Sequence, residues 1–220
     1  KKTLLDLGNS GTGLRLISSI ISTTPNIKVN LTGDKSLKKR NMSKLINLLN
    51  EFGAETYPKN KVYLPLKLRS SNFPVGIKFV AGTSAQLKSA AMLAGLNSFG
   101  TTTIFEKSKT RDHTENMLKK NSKSILLKNK GNIIKIFGKK TLNPLNIKIP
   151  SDPSSAAFFA AICILNKKSE LKIRNVCTNP KRLGFYNILK KHGAKIKILN
   201  KEKQNNESVG DLFIKSSRIK

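Results

Sequence analysis

Only seven arginines stand among the 42 basic residues of this 220-residue chain, so each one is informative. Four of them, Arg15, Arg40, Arg111 and Arg182, fall inside short motifs rich in Gly, Ser, Thr, Asn and Asp. A guanidinium presents a planar fork of donors that fits carboxylate and phosphate, where lysine offers a flexible point charge. Arg15 follows the loop Gly8-Asn9-Ser10-Gly11-Thr12-Gly13, which lies between a strand-like run, Leu4–Leu7, and a helix carrying Leu14, Leu16, Ile17, Ile20 and Ile21. Glycines let backbone N–H groups turn toward an anion, and a helix N-terminus adds its positive dipole end. The loop is not a Walker A sequence, because Gly13 leads into Leu14-Arg15 rather than Lys-Ser/Thr, and it does not match G-x-G-x-x-G. Alone, it reads equally as tight-turn packing.

The arginines recur with a period. Gly11 to Arg40 spans 29 residues, Ser84 to Arg111 27 and Ser154 to Arg182 28, and the three starts lie 73 and 70 residues apart. Each copy reads as a strand, a small-residue turn, an apolar helix, a β-branched strand and a polar turn with one arginine. Self-similarity at a fixed spacing marks a repeat architecture, here of βαβαββ units. The second copy runs from Val80-Ala81-Gly82-Thr83-Ser84-Ala85-Gln86-Leu87-Lys88-Ser89, through a helix apolar on nearly every side, to strand Thr101–Phe105 and then Arg111-Asp112-His113-Thr114-Glu115. His113 reads as a neutral, hydrogen-bonded histidine.

Other elements follow from periodicity and punctuation. Met42, Leu45, Ile46, Leu49 and Phe52 form a core-facing helical stripe that stops at Gly53. Strands are expected near 62–68, 75–80, 124–127, 132–137, 171–176 and 211–214, with a buried helix at 156–165. A helix over 180–192 is expected to turn Phe185, Ile188, Leu189 and His192 inward, opening on Pro180 and closing at Gly193. The polar stretch 138–146 reads as a connection, which places a boundary near residue 148 between lobes 1–147 and 148–220.

A net charge of +30 invites a nucleic-acid reading, but 35 of the basic residues are lysines spread along the whole chain. There is no aromatic RNA-binding signature, zinc-finger spacing or basic heptad, so the charge reads as solvated surface. No stretch approaches the roughly 18 apolar residues of a membrane span. Residues 1–8 lead straight into a strand without a signal-peptide plan. Cys163 and Cys177 form neither a disulfide framework nor a metal spacing and are expected to stay reduced in a cytoplasm.

Six motifs in order carry a resemblance that covers essentially the whole chain: Leu5–Thr12 with Arg15, Gly33-Asp34 with Ser36-Leu37 and Arg40, Ser84–Ser89, Arg111–Glu115 with Met117-Leu118, Asp152–Phe158, and Asn175-Val176 with Asn179-Pro180 and Arg182. Together they resemble the 5-enolpyruvylshikimate-3-phosphate synthases (3-phosphoshikimate 1-carboxyvinyltransferases). The resemblance implies the enolpyruvyl transferase fold, an inside-out α/β barrel of two lobes with three βαβαββ units each. One lobe would be nearly complete here and the other represented by its first unit. It implies transfer of the enolpyruvyl group of phosphoenolpyruvate to the 5-hydroxyl of shikimate 3-phosphate, by addition and then elimination of phosphate, without a metal or organic cofactor. By the same resemblance Asn9, Gly11, Thr12 and Arg40 belong to the phosphoenolpyruvate side, with Arg15 supporting the loop. Ser84, Ala85 and Arg111 belong to the shikimate 3-phosphate side, and Gln86 serves both. Gly11 is the small residue that leaves room for glyphosate in this family.

The resemblance also implies a Lys-Ser pair, proton-handling acids and a C-terminal basic clamp for which these 220 residues have no counterpart. The chain is therefore expected to be a central fragment with no catalytic residue of its own and no turnover alone, the full-length protein being a monomer. Three departures stand out: Asn41 in place of proline, Ser151 in place of glycine, and Asn121-Ser122-Lys123 in place of Gly-Ala. Two alternatives are a UDP-N-acetylglucosamine enolpyruvyl transferase, against which no cysteine lies in the expected loop, and a basic nucleic-acid-binding module.

Overall fold

The computed structural model describes residues 3–219; Lys1, Lys2 and Lys220, which the sequence reading included in its lobes, lie outside it. Among the described residues, eighteen α-helices and β-strands follow one another in a threefold pattern. The first copy is β1 (Thr3–Asp6), α1 (Gly11–Ser22), β2 (Lys28–Thr32), a short α2 (Lys35–Lys38), α3 (Ser43–Glu51), β3 (Glu55–Tyr57) and β4 (Leu66–Arg69). The second is β5 (Lys78–Val80), α4 (Ala85–Leu96), β6 (Thr101–Phe105), α5 (His113–Leu118), β7 (Ile125–Lys128) and β8 (Ile133–Phe137). The third is α6 (Pro153–Leu165), β9 (Glu170–Cys177), α7 (Gly184–Lys191), β10 (Lys195–Gln204) and β11 (Glu207–Lys215).

The sheets repeat one topology. Strand order is β1-β2-β4-β3 in the first and β5-β6-β8-β7 in the second, with the leading pair parallel and the others antiparallel. The third runs β9-β11-β10, and a parallel bridge from Ser151 to Val176 occupies the place of its leading strand. The mixed α/β architecture is the one the repeat spacing predicts. Strands β3 and β10 were not anticipated: Glu-Thr-Tyr is too short to stand out from a loop, and the alternation Lys195-Ile196-Lys197-Ile198 runs on into the polar stretch 200–204.

Residues fall into two compact units, 1–110 with 121–142, and 111–120 with 143–220. In the first, period-two alternation buries Val29 and Leu31 of β2, Leu66 and Leu68 of β4, and Ile134 and Ile136 of β8, while Lys28, Lys67 and Arg69 face water. The α3 stripe Met42, Leu45, Ile46, Leu49 and Phe52 is buried as expected, and Gly53 at φ +84° ends it. Helix α4 is buried through Ala90, Ala91, Met92 and Ala94 and packs on α1. On α1 the buried face is mostly polar: Ser18, Ser19 and Ser22 are inside with Leu14, and Ile17 and Ile20 are exposed. Each serine hydroxyl donates to a carbonyl of its own helix, Leu14, Arg15 and Ser19 respectively, so it enters the core already satisfied.

The second unit has a core of Ala156, Ala160, Cys163, Ile164, Val176, Tyr186, Ile196, Leu212 and Ile214. Two expectations are corrected here. Helix α6 is not buried all round, because Phe158, Phe159, Ile162 and Leu165 are exposed on its far side, where a single sheet offers nothing to cover them. Segment 180–192 is not one helix: Pro180–Arg182 is a 3-10 turn and α7 restarts at Gly184. The restart shifts the helical phase, so Tyr186 and Leu183 point inward while Phe185, Ile188 and His192 are exposed. The Tyr186 hydroxyl donates to the Pro153 carbonyl at 2.7 Å, and burial, with the Asp152 charge adding, pushes its phenol up to about 12.

Candidate functional site

At the end of β1 the Asp6 carboxylate takes the Gly8 N–H at 2.9 Å and turns the chain, with Gly8 at φ +53°. Ser10 then caps α1, its Oγ accepting the Gly13 N–H at 2.9 Å. Arg15 Nη1 donates to the Gly11 carbonyl at 2.8 Å, and Arg40 Nη2 donates to Asn9 Oδ1 at 2.7 Å. A Cβ on Gly11 would stand 2.9 Å from Arg40 Nη1 and 3.0 Å from Arg15 Nη1. Glycine thus leaves the space between two guanidiniums. Burial, and then the charge of Arg40, lower the pKa of Arg15. No acidic residue lies in the first turn of α1. Two cations converging on a helix N-terminus are stabilised by an anion bound beside them.

Arg40 reaches this place because two loops are locked together. The Asp34 N–H donates to the Gly8 carbonyl at 2.9 Å, and Asp34 Oδ1 caps α2 by accepting the Leu37 N–H at 2.7 Å. A Cβ on Gly33 would lie 2.7 Å from the Gly8 oxygen, so the loops meet only over a glycine. Leu37 is fully buried beneath them. Asn41 accepts the Ser43 N–H at 2.8 Å, leading into α3 without the expected proline.

Ser84 caps α4, its Oγ accepting the Leu87 N–H at 3.2 Å, and Ala85 opens the helix. Gln86 Nε2 donates to Thr12 Oγ1 at 2.6 Å, which joins the starts of α1 and α4. One turn on, Lys88 Nζ meets Glu106 Oε1 at 2.9 Å with both side chains buried. Burial alone would raise the Glu106 pKa, but hydrogen bonds from Thr110 and Lys88 outweigh it and hold the carboxyl below its usual range. The same oxygen takes the Thr110 N–H at 2.7 Å and so fixes the residue before Arg111.

Asn9, Gly11, Thr12, Arg15, Arg40 and Gln86 therefore come together in the first unit, with Ser84 and Ala85 at the same helix start as Gln86. Arg111 is exposed and belongs to the second unit. That unit carries its own polar network. Asp152 caps α6 through the Ser154 and Ser155 N–H groups at 3.3 and 3.0 Å, and it receives Arg182 Nη2, which also donates to Ser154 Oγ at 2.9 Å. Ser151 keeps a negative φ, so the missing glycine introduces no strain there. Lys181 Nζ pairs with Asp112 at 2.6 Å, and Asn179 Nδ2 donates to Asp112 at 2.8 Å and to Glu207 at 2.9 Å. Glu207 escaped the sequence reading because it follows a polar hairpin with no motif around it.

Comparison with known proteins agrees with this geometry. A family model described as EPSP synthase (3-phosphoshikimate 1-carboxyvinyltransferase) matches residues 1–219. The 3-phosphoshikimate 1-carboxyvinyltransferase of Paracoccus denitrificans is 39% identical over 220 residues, covering 99% of this chain and 49% of the relative. That of Aquifex aeolicus is 40% identical over 217 residues, covering 96% and 50%. A solved EPSP synthase from Acinetobacter baumannii superposes with a TM-score of 0.82 at 35% identity, over 99% of this chain and 49% of that one. The chain spans about half the length of the relatives it matches. With the repeat, the sheet order and the family match in agreement over the described residues, the chain belongs to the EPSP synthase family.

Proposed function

We propose that this chain, as part of a longer protein, takes part in transferring the enolpyruvyl group of phosphoenolpyruvate to the 5-hydroxyl of shikimate 3-phosphate. The hydroxyl oxygen adds to the enol carbon as a proton goes to the methylene. Loss of phosphate and of that methylene proton restores the double bond. In this reading Asn9, Gly11, Thr12, Arg40 and Gln86 hold phosphoenolpyruvate, with Arg15 supporting the loop, and Ser84, Ala85, Gln86 and Arg111 hold shikimate 3-phosphate. Charge-assisted donors that exist before the ligand arrives stabilise charge developing on phosphate without reorganising. The reading further takes 1–147 as one lobe and 148–220 as the first unit of another. It places a monomeric full-length enzyme in the cytoplasm with no nucleic-acid partner; among the described residues no helix is long and apolar enough to cross a membrane.

The observation that carries the proposal is the pair of guanidiniums of Arg15 and Arg40 converging on Gly11, 3.0 and 2.9 Å from where its Cβ would be. Titration of the purified chain with phosphoenolpyruvate, followed by calorimetry, tests it. Saturable binding that Arg40→Gln weakens at least about tenfold is expected from loss of a charge-assisted contact. Binding that is indifferent to Arg40 overturns the assignment.

A further inference from the structure

Within the second unit, one face of α5 meets the ends of β9 and β11 around a cavity of about 350 Å³. His113, Cys177 and Glu207 line it, and one donor atom from each lies within 4.8 Å of the others. His113 Nδ1 is 2.8 Å from Glu207 Oε2, and Cys177 Sγ is 3.8 Å from Glu207 Oε1. Two further polar atoms on this lining, His113 Nε2 and Gln204 Oε1, are buried without a hydrogen-bond partner. A histidine–carboxylate pair explains the Nδ1 contact alone. It leaves the second ring nitrogen and the amide oxygen unmatched, with the thiol donating only a long hydrogen bond to Glu207, and buried polar groups are normally matched.

We propose that His113, Cys177 and Glu207 form a binding site for a divalent transition cation of the zinc class. Imidazole, thiolate and carboxylate together suit such an ion, whereas calcium and magnesium take all-oxygen sets. Metal–ligand bonds of about 2.0–2.3 Å place tetrahedral donors about 3.3–3.7 Å apart, so the cluster needs adjustment by fractions of an ångström to a little over one. A fourth position would be left for water, and the unpartnered Gln204 Oε1 on the same cavity lining is an acceptor of the kind such a water needs. Supporting contacts are already in place. Asn179 Nδ2 holds Glu207 Oε1 at 2.9 Å, fixing the carboxylate as outer ligands do in metal sites. The neighbouring cations are engaged elsewhere, Lys181 with Asp112 and Arg182 with Asp152, so Glu207 keeps its charge for the ion. On binding, the Cys177 thiol gives its proton to solvent and its lone pair to the metal. The ion would tie 113, 177 and 207, which are 64 and 30 residues apart, into one clamp that stands apart from the enolpyruvyl chemistry.

The test is titration of the reduced, metal-free 220-residue chain with cobalt(II) alone. A thiolate-to-cobalt charge-transfer band with the intense visible bands of tetrahedral cobalt is expected, bleached by added zinc. Cys177→Ser should abolish the charge-transfer band, and Cys163→Ser should leave it intact. If Cys177→Ser does not fold, Glu207→Gln decides: a loss of cobalt affinity of at least about tenfold supports the site, and unchanged affinity overturns it. Absence of a thiolate band in the folded chain, or its persistence in folded Cys177→Ser, also overturns the site. Because the readout is metal absorption, its failure is separate from failure of the phosphoenolpyruvate assignment.

Discussion

One methyl group at Gly11 reaches the two guanidiniums that the functional proposal depends on. Its carbon would stand 2.9 Å from Arg40 Nη1 and 3.0 Å from Arg15 Nη1, both ends of flexible side chains. Gly11→Ala should therefore fold, with stability within about 1 kcal/mol of the parent, since alanine favours the helix start it joins. The displaced guanidiniums should lower phosphoenolpyruvate affinity by about tenfold or more, as loss of a charge-assisted contact does. Thermal unfolding and calorimetry separate the two effects, and an unchanged affinity would detach Gly11 from the site. This region was legible in the sequence because its causes are local. Glycine turns, a serine cap and scarce arginines announce themselves within a few residues. The His113–Cys177–Glu207 cluster was not, because only the folded chain brings those three segments together.

Elements are held in place by a few polar ties whose loss should be measurable. Lys88 and Glu106 join α4 to the end of β6 with side chains 0% and 2% exposed. Lys88→Met leaves Glu106 buried and unpaired, and should cost about 3–5 kcal/mol in denaturant unfolding. A cost under about 1 kcal/mol would mean that Thr110 alone satisfies the carboxylate. At the joint of β9 and β11, the Asn175 N–H, then Asn200 and Lys172, hold the Asp211 carboxyl down to about 2 from its ordinary 3.8. A depressed folded value stabilises above the unfolded one. That contribution is full above pH 3.8 and fades as pH falls toward 2. Asp211→Asn should flatten the stability curve across this acid range, and a curve parallel to the parent would refute the tie. Helical stripes such as Met42–Phe52 were readable from spacing, because burial there follows the 3.6-residue period. The inward face of α7 was misread except at Leu189, which packs on the core, because the 3-10 turn at Pro180–Arg182 resets the phase in a way that spacing does not reveal.

Over the whole molecule, the repeat is the feature that sequence and coordinates share most fully. Three strand orders follow one scheme although β3 and β10 went unseen, since motif spacing does not depend on recognising every single strand. Covering about half the length of its relatives, the chain carries large apolar side chains exposed on one face of α6, with Phe158 at 74% and Leu165 at 78%. The isolated 220 residues should bind an apolar fluorescent dye and self-associate with rising concentration, and Phe158→Glu should reduce both. Unchanged dye binding in that variant would place the sticky surface elsewhere. On the proposed function, these residues supply substrate contacts for enolpyruvyl transfer. The most direct measurement grafts the chain in place of the matching half of a full-length relative and follows phosphate release from phosphoenolpyruvate and shikimate 3-phosphate. Release that requires both substrates and falls at least about a hundredfold with Arg40→Gln is expected, as on loss of a transition-state charge contact. A folded chimera that releases no phosphate, or one indifferent to Arg40, would contradict the proposal.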